Sequence, residues 1–284
     1  MARELVLRCV LALALLASCA TVSAGGQLLA TGGLTQLEGS AGGGLVPWAV
    51  LAGYGTAAET GATAFISHVN VSDYQLNAAG AAVTVRNRLE LSAARQVLTQ
   101  SRGAGPLGDS LAQDVFGAKL RLAGDLVYTG VPQISAGIQY KRNHGDALGD
   151  ALGAQRLADW DAYLAVSRLF LGAAFGRNVL LNATVRGTRA NELGLLGFGG
   201  PGSDSHTPRF EGSAALFLDR RTAIGYEYRA KPDNLGLGES DWHDLFIAYF
   251  PSKSLGLAAA LTDLGRIGGV PGQQGLYLSA QGSF

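Results

Sequence analysis

The sequence has almost no cysteine, little charge, and no long apolar run beyond its first two dozen residues. Each shortage removes a class of protein. The two cysteines are Cys9 and Cys19. Both precede Ala24, so a chain processed there has no thiol left for a disulfide or a thiolate metal site. Charged residues make up 15% of the chain and apolar residues 48%, where an average soluble domain carries about 25% charge. Removing Arg3, Glu4 and Arg8 with the leader takes 22 basic and 22 acidic residues to 20 and 21, a net charge near −1. Without a basic excess there is no electrostatic footprint for a nucleic-acid partner. Past residue 24 no stretch approaches the roughly 18 apolar residues of a membrane-spanning helix. A weakly charged chain that must meet lipid without helices can satisfy its backbone only as a closed β-barrel.

The first residues read as an export leader. Arg3 and Arg8 precede an apolar run from Cys9 to Ala17, and Val22-Ser23-Ala24 supplies small residues for cleavage. That pattern is a secretory signal, too short to span a bilayer. The alternative is Leu16-Ala17-Ser18-Cys19 as a lipoprotein box, with Cys19 lipidated.

What the chain does have is period-two alternation, the mark of a strand with unlike faces. Val83, Val85, Leu89, Leu91 and Ala93 alternate with Thr84, Arg86, Arg88, Glu90 and Ser92; Phe116, Ala118, Leu120 and Leu122 alternate with Gly117, Lys119 and Arg121. Ile134–Lys141 and Ile224–Lys231 repeat the pattern. A soluble sandwich also alternates, but its strands cluster near 5–6 residues whereas a tilted membrane strand needs about 9–11.

The predicted strands are 47–55, 62–72, 80–96, 113–125, 132–142, 159–171, 177–188, 208–218, 222–231, 241–250, 254–262 and 275–284. Short connections (Asp73–Ala79, Leu126–Val131, Gly172–Gly176, Asp219–Arg221, Pro251–Lys253) alternate with long ones (Val97–Ala112, Asn143–Ala158, Arg189–Thr207, Pro232–Ser240, Asp263–Gly275). Short periplasmic turns and longer external loops are the signature of outer-membrane barrels. The expected fold is therefore an all-β transmembrane antiparallel barrel of about twelve strands, or ten as the smaller count. The expected organisation is a leader at 1–24, a glycine-rich periplasmic lead-in or plug at 25–46, and the barrel at 47–284. Phe284 closes an alternating apolar strand and would present a terminal signal to the barrel assembly machinery. Trp48, Tyr54, Tyr128, Tyr140, Trp160, Trp242 and Phe250 would suit aromatic girdles against outer-membrane lipid.

The segment Gly25–Gly33 (GGQLLATGG) and its continuation Leu34–Thr56, with Pro47-Trp48, resembles the start of a family of proteobacterial proteins catalogued as a domain of unknown function and regarded as outer-membrane proteins. The resemblance extends over nearly the whole mature chain. It implies location and fold, and carries no catalytic or binding residues.

The interior-facing candidates are Arg86, Arg88, Glu90, Lys119, Arg121, Lys141, Arg186, Glu227 and Arg229, with Asp161, Glu211 and Lys231 on the same presumed face. Rings of charge set selectivity in channels; the same charges could instead pair across neighbouring strands and fill a narrow barrel. Of the histidines, His243-Asp244 and Ser205-His206 suggest a hydrolase, but adjacent strand residues point to opposite faces, and His68 and His144 add no triad. No pair has metal-ligand spacing on one strand face. The glycine-rich stretches lack the strand–turn–helix context of a nucleotide site, so no cofactor is expected. The expected activity is passive passage of a small solute. The alternatives are a closed structural or adhesive barrel with partner-binding loops and, behind it, an outer-membrane hydrolase.

Overall fold

The structure, a computed structural model, describes residues 25–101 and 110–284. The leader reading and the Cys19 alternative lie outside the described residues. Twelve antiparallel strands close into a barrel: β1 (Thr60–Val71), β2 (Tyr74–Val85), β3 (Leu89–Gln100), β4 (Leu111–Ala123), β5 (Gln133–Asn143), β6 (Ala158–Ala174), β7 (Arg177–Thr188), β8 (Thr207–Phe217), β9 (Thr222–Arg229), β10 (Trp242–Ser252), β11 (Leu255–Asp263) and β12 (Gln274–Ser283). The seam is β12 on β1, from Gly275 opposite Val71 to Ser283 opposite Thr63. A short helix, α1 (Asp146–Leu152), lies in the β5–β6 loop and ends on Gly153 in the left-handed region.

Alternation decides which way each side chain points. On β3, Leu89, Leu91 and Ala93 are exposed outside while Glu90, Ser92 and Gln96 are buried inside. Leu120, Ile138, Leu164, Ile247 and Leu278 also face outward, each about half exposed. An apolar surface encircling the molecule would be an aggregation liability in water and is the lipid-facing band of a membrane barrel.

The count of twelve stands, but two of its parts differ from the sequence reading. Residues 47–55 form no barrel strand. They carry Pro47, Gly53 at φ 78° and apolar side chains of both parities, and all nine are buried, so they have no outward face. The predicted strand 80–96 is instead the end of β2 and most of β3, joined at Val85–Arg88. There Arg88 N–H donates to the Val85 carbonyl at 3.0 Å, and Arg86 and Asn87 sit at φ 53° and 48°. Positive φ at both central residues is the sign pattern of a type I′ hairpin turn, normally marked by Asn-Gly or Gly-Gly; Arg-Asn carries no such mark. This turn lies at the same end as both barrel termini, and the Asp73 connection lies at the opposite end with the long loops. Short turns gather at the first end (86–88, 124–132, 175–176, 218–221 and 253–254), which makes it the periplasmic end.

Residues 25–59 precede β1, and of these 30–55 run inside the barrel. The segment enters at the periplasmic mouth, where Lys253 Nζ donates to the Gly25 carbonyl at 2.8 Å. It leaves by the same mouth into β1, with Gln27 N–H bonded back to the Tyr54 carbonyl. Between these points lies a tight hairpin in which Leu34 and Thr35 pair with Gly42 and Ala41. Its tip turns at Gln36–Gly39, closed by Gly39 N–H to the Gln36 carbonyl at 2.9 Å, with Gly39 at φ 94°. A Cβ on Gly39 would sit 3.0 Å from the Ala94 Cβ of the wall, so the turn needs glycine for conformation and for space. Glu38 is carried at this tip.

Candidate functional site

The barrel wall presents its polar residues inward, and the N-terminal segment satisfies them. Two clusters do most of this.

In the first, Lys119 on β4 and Glu90 on β3 stand side by side, 3.3 Å apart and about 1% exposed. Lys119 Nζ donates to the carbonyls of Ala41 and Val50, each at 2.8 Å. Glu90 accepts from the N–H groups of Ala41 (3.2 Å) and Ala52 (2.8 Å). One ion pair thus clasps the descending and returning limbs of the segment together.

The second cluster surrounds Glu38. Its Oε1 pairs with Lys141 on β5, and its Oε2 lies 2.8 Å from Arg229 on β9 and 3.3 Å from Arg186 on β7. The wall holds these cations itself. Arg186 Nε contacts Glu211 at 2.6 Å, its Nη1 donates to Gln139 at 2.6 Å, and its guanidinium lies over the Tyr163 ring at 5.2 Å. Lys141 meets Asp161 at 2.6 Å, and Arg229 reaches Glu211 at 3.4 Å. All six ionised groups are buried.

Between the clusters the contacts are neutral or single-charged. Leu45 N–H donates to Glu227 at 2.8 Å, Trp48 Nε1 to Ser213 at 2.9 Å, and Ala49 N–H to Ser167 at 2.8 Å. Gln133 and Ser135 both donate to the Ala49 carbonyl.

Of the sequence candidates, the structure brings Glu90, Lys119, Lys141, Arg186, Glu227 and Arg229 into the barrel interior, with Asp161 and Glu211 beside them. Arg86 and Arg88 are not in the interior. They occupy the exposed β2–β3 turn, because the strand they were placed on ends at Val85. Arg121 sits at the periplasmic rim, part-exposed, bound to Asp125 at 2.9 Å and to the Gly124 carbonyl. Lys231 lies in the external β9–β10 loop between Glu192 (2.7 Å) and Glu239 (2.8 Å). Sequence reasoning missed Glu38. The signal was there: it is the only charged residue between Arg8 and Glu59.

The external mouth is also covered. Residues 190–200 of the β7–β8 loop fold inward and are buried. Gln113 donates to the Leu193 carbonyl at 3.1 Å and Asn143 to that of Gly194 at 3.0 Å. Burial pushes the Glu192 carboxyl up to about 8, with Lys231 opposing and Glu239 adding to the rise. Interior cavities beside Tyr74 and beside Arg186 measure 10 and 20 Å³, room for about one water each. A 220 Å³ cavity opens at the periplasmic mouth between Gln27, Thr31, Arg121 and Tyr128.

The histidines form no common centre. His68 bonds Asn77, His144 bonds Asp114, His206 stacks on Trp160, and His243 meets Tyr226 on the outer face. Among the described residues no group of three or more His, Cys, Asp or Glu is placed to hold a metal ion.

A family model described as "Protein of unknown function (DUF3034)" matches residues 31–281. No curated protein matches the sequence. Among solved structures, the KdgM porin is 12% identical with a TM-score of 0.50, over 78% of this chain and 99% of that one. The outer membrane protein Omp33 of Acinetobacter baumannii is 10% identical with a TM-score of 0.48, over 81% and 100%. The NanC porin is 9% identical with a TM-score of 0.46, over 78% and 98%. At such identities the likeness is one of fold alone; the apolar outward band and the short turns gathered at one end are what mark the barrel as an outer-membrane one.

Proposed function

Because the chain belongs to the DUF3034 family and is an outer-membrane β-barrel, we propose that it is a passive channel for a small solute whose lumen is occupied by its own residues 30–55. The observation that carries this reading is the chemistry of the interior. The wall faces its lumen with Glu90, Lys119, Lys141, Arg186, Glu227 and Arg229, and the segment meets them mainly through backbone groups and one carboxylate. A barrel filled only for stability would be served as well by apolar packing, since replacing buried ion pairs with well-packed hydrophobes is often neutral or stabilising. A charged lining suits a surface that water and solute also visit.

The test is single-channel conductance in planar bilayers, comparing the mature protein with a form lacking residues 25–55. The expected result is a quiet intact protein and a conducting truncated one. A second reading, a closed structural barrel with partner-binding loops, is favoured by the inward fold of residues 190–200 over the external mouth. Silence in both forms, with β-structure retained, would select it.

A further inference from the structure

We propose that Lys141, Arg186 and Arg229 form a carboxylate-binding site, that Glu38 occupies it from within, and that the solute is an acidic one bearing a carboxylate. The inference rests on the channel reading above and names its substrate class.

Three observations carry it. The first is coordination. A single carboxylate receives Lys141 on one oxygen and Arg186 with Arg229 on the other, from three different strands of the wall. Charge-assisted contacts of this kind, two of them from guanidinium groups, are how proteins grip carboxylates.

The second is preorganisation. Each cation has a partner on the wall: Arg186 has Gln139, Glu211 and Tyr163, Lys141 has Asp161, and Arg229 has Glu211, with Arg229 Nη1 also donating to the Leu45 carbonyl of the segment at 3.0 Å. None of these contacts is made by Glu38, so the arrangement persists when its carboxylate alone is removed.

The third is charge. The wall supplies three cations and two carboxylates here, Asp161 and Glu211, so the site carries one uncompensated positive charge once Glu38 is withdrawn. A buried charge without its counterion is strongly unfavourable, and an entering carboxylate restores the balance. Glu38 stands alone in a glycine-rich stretch at a hairpin tip, which makes it the one carboxylate that the segment carries into the barrel interior.

The experiment is chemical rescue in the full mature chain. Glu38→Ala removes the internal carboxylate, and its thermal midpoint in detergent is measured in sodium acetate and in sodium chloride at equal ionic strength. Acetate should raise the midpoint of Glu38→Ala by several degrees and leave the unsubstituted protein unmoved. A ligand stabilises by occupancy, so at 100 mM acetate a site of ~10 mM affinity gives a roughly tenfold gain in the folded-to-unfolded ratio. Adding Arg229→Gln should abolish the gain. Should Glu38→Ala fail to assemble, Glu38→Ser, which also leaves the volume of the carboxylate open, takes its place with the same paired salts.

Equal midpoints in acetate and chloride, for a variant with intact β-structure, would overturn the carboxylate site whatever the conductance shows. An acetate effect in a protein that never conducts, whole or with residues 25–55 removed, would overturn the solute assignment along with the channel reading. Conductance through the form lacking residues 25–55 that falls as glucuronate, but not glucose, is added supports both.

Discussion

Lys119→Met is the sharpest perturbation of the occupied lumen. The substitution keeps the length and packing of the side chain while removing its charge. It deletes donors to the carbonyls of Ala41 and Val50, each at 2.8 Å, and leaves Glu90 as a buried carboxylate without its cation. Breaking one partner of a buried pair costs about 3–5 kcal/mol. That cost should fall on the seat of the segment, because the two N–H groups that Glu90 accepts, those of Ala41 and Ala52, belong to it. At about 1.4 kcal/mol per tenfold change, local opening at these amides should become roughly a hundred to a few thousand times more frequent. Hydrogen–deuterium exchange resolved to the peptides spanning 41–52 reads this directly. The double variant Lys119→Met, Glu90→Gln removes the stranded charge and should bring exchange back to within about tenfold of the original, since a neutral amide oxygen still accepts one bond at ordinary strength. Exchange at 41–52 unchanged in the single variant would refute the reasoning, because Lys119 could then hold nothing that the rest of the interior does not. Exchange in the double variant as fast as in the single would show that charge was not the cause.

Three further outcomes follow from other parts of the molecule. Ile138→Arg, outward-facing and mid-strand on β5, should cost about 2–4 kcal/mol in folding titrations into lipid vesicles, whereas Arg88→Gln in the exposed turn should stay within about 0.5 kcal/mol. Glu192 is pushed up to about 8 by burial, from an ordinary value of 4.5. The stability it lends the inward-folded 189–206 loop is therefore full at low pH and is lost as pH rises from about 4.5 through about 8. Protease cleavage within that loop should accelerate between pH 6 and pH 9, and Glu192→Gln should flatten the dependence. Gly43→Ala would place a Cβ 2.0 Å from Glu227 Oε1, so Trp48, which donates to Ser213 beside that carboxylate, should lose its buried position and shift its fluorescence to the red.

Much of the barrel was legible because lipid outside and polar groups inside impose alternation along every strand. Leu120 beside Lys119, and Ile138 beside Gln139, reveal their facing from type alone. The parity even survived the missed turn: Val85 and Leu89 are four residues apart, so residues on either side of it kept their assigned faces, and only Arg86 and Arg88, which belong to the turn itself, were misplaced. Residues 47–55 misled for the opposite reason. Inside a filled barrel there is no unlike second face, so Trp48, Val50 and Leu51 record burial without recording a strand. The Glu38 site was not legible as a site. Glu38 and the three cations that meet it lie at 38, 141, 186 and 229, and what unites them is the closure of the barrel around the hairpin tip, which no local pattern encodes. What the chain did display was the oddity of a lone acid among glycines.

The entry and exit of residues 25–59 by a single mouth make the segment a returning loop, not a thread. Withdrawing it requires no chain end to pass through the cylinder, and the β12–β1 seam, which joins residues more than 200 positions apart, can stay shut throughout. Tension applied at Gly25 from the periplasm would meet the Lys253 contact first, then the Tyr54 contact and the bonds behind it, one after another, as a zipper opens from its end. The force needed would be that of the few bonds at the moving front, far below the sum of all that hold the loop, and the far limb, continuous with β1, would remain as the tether that guides it back.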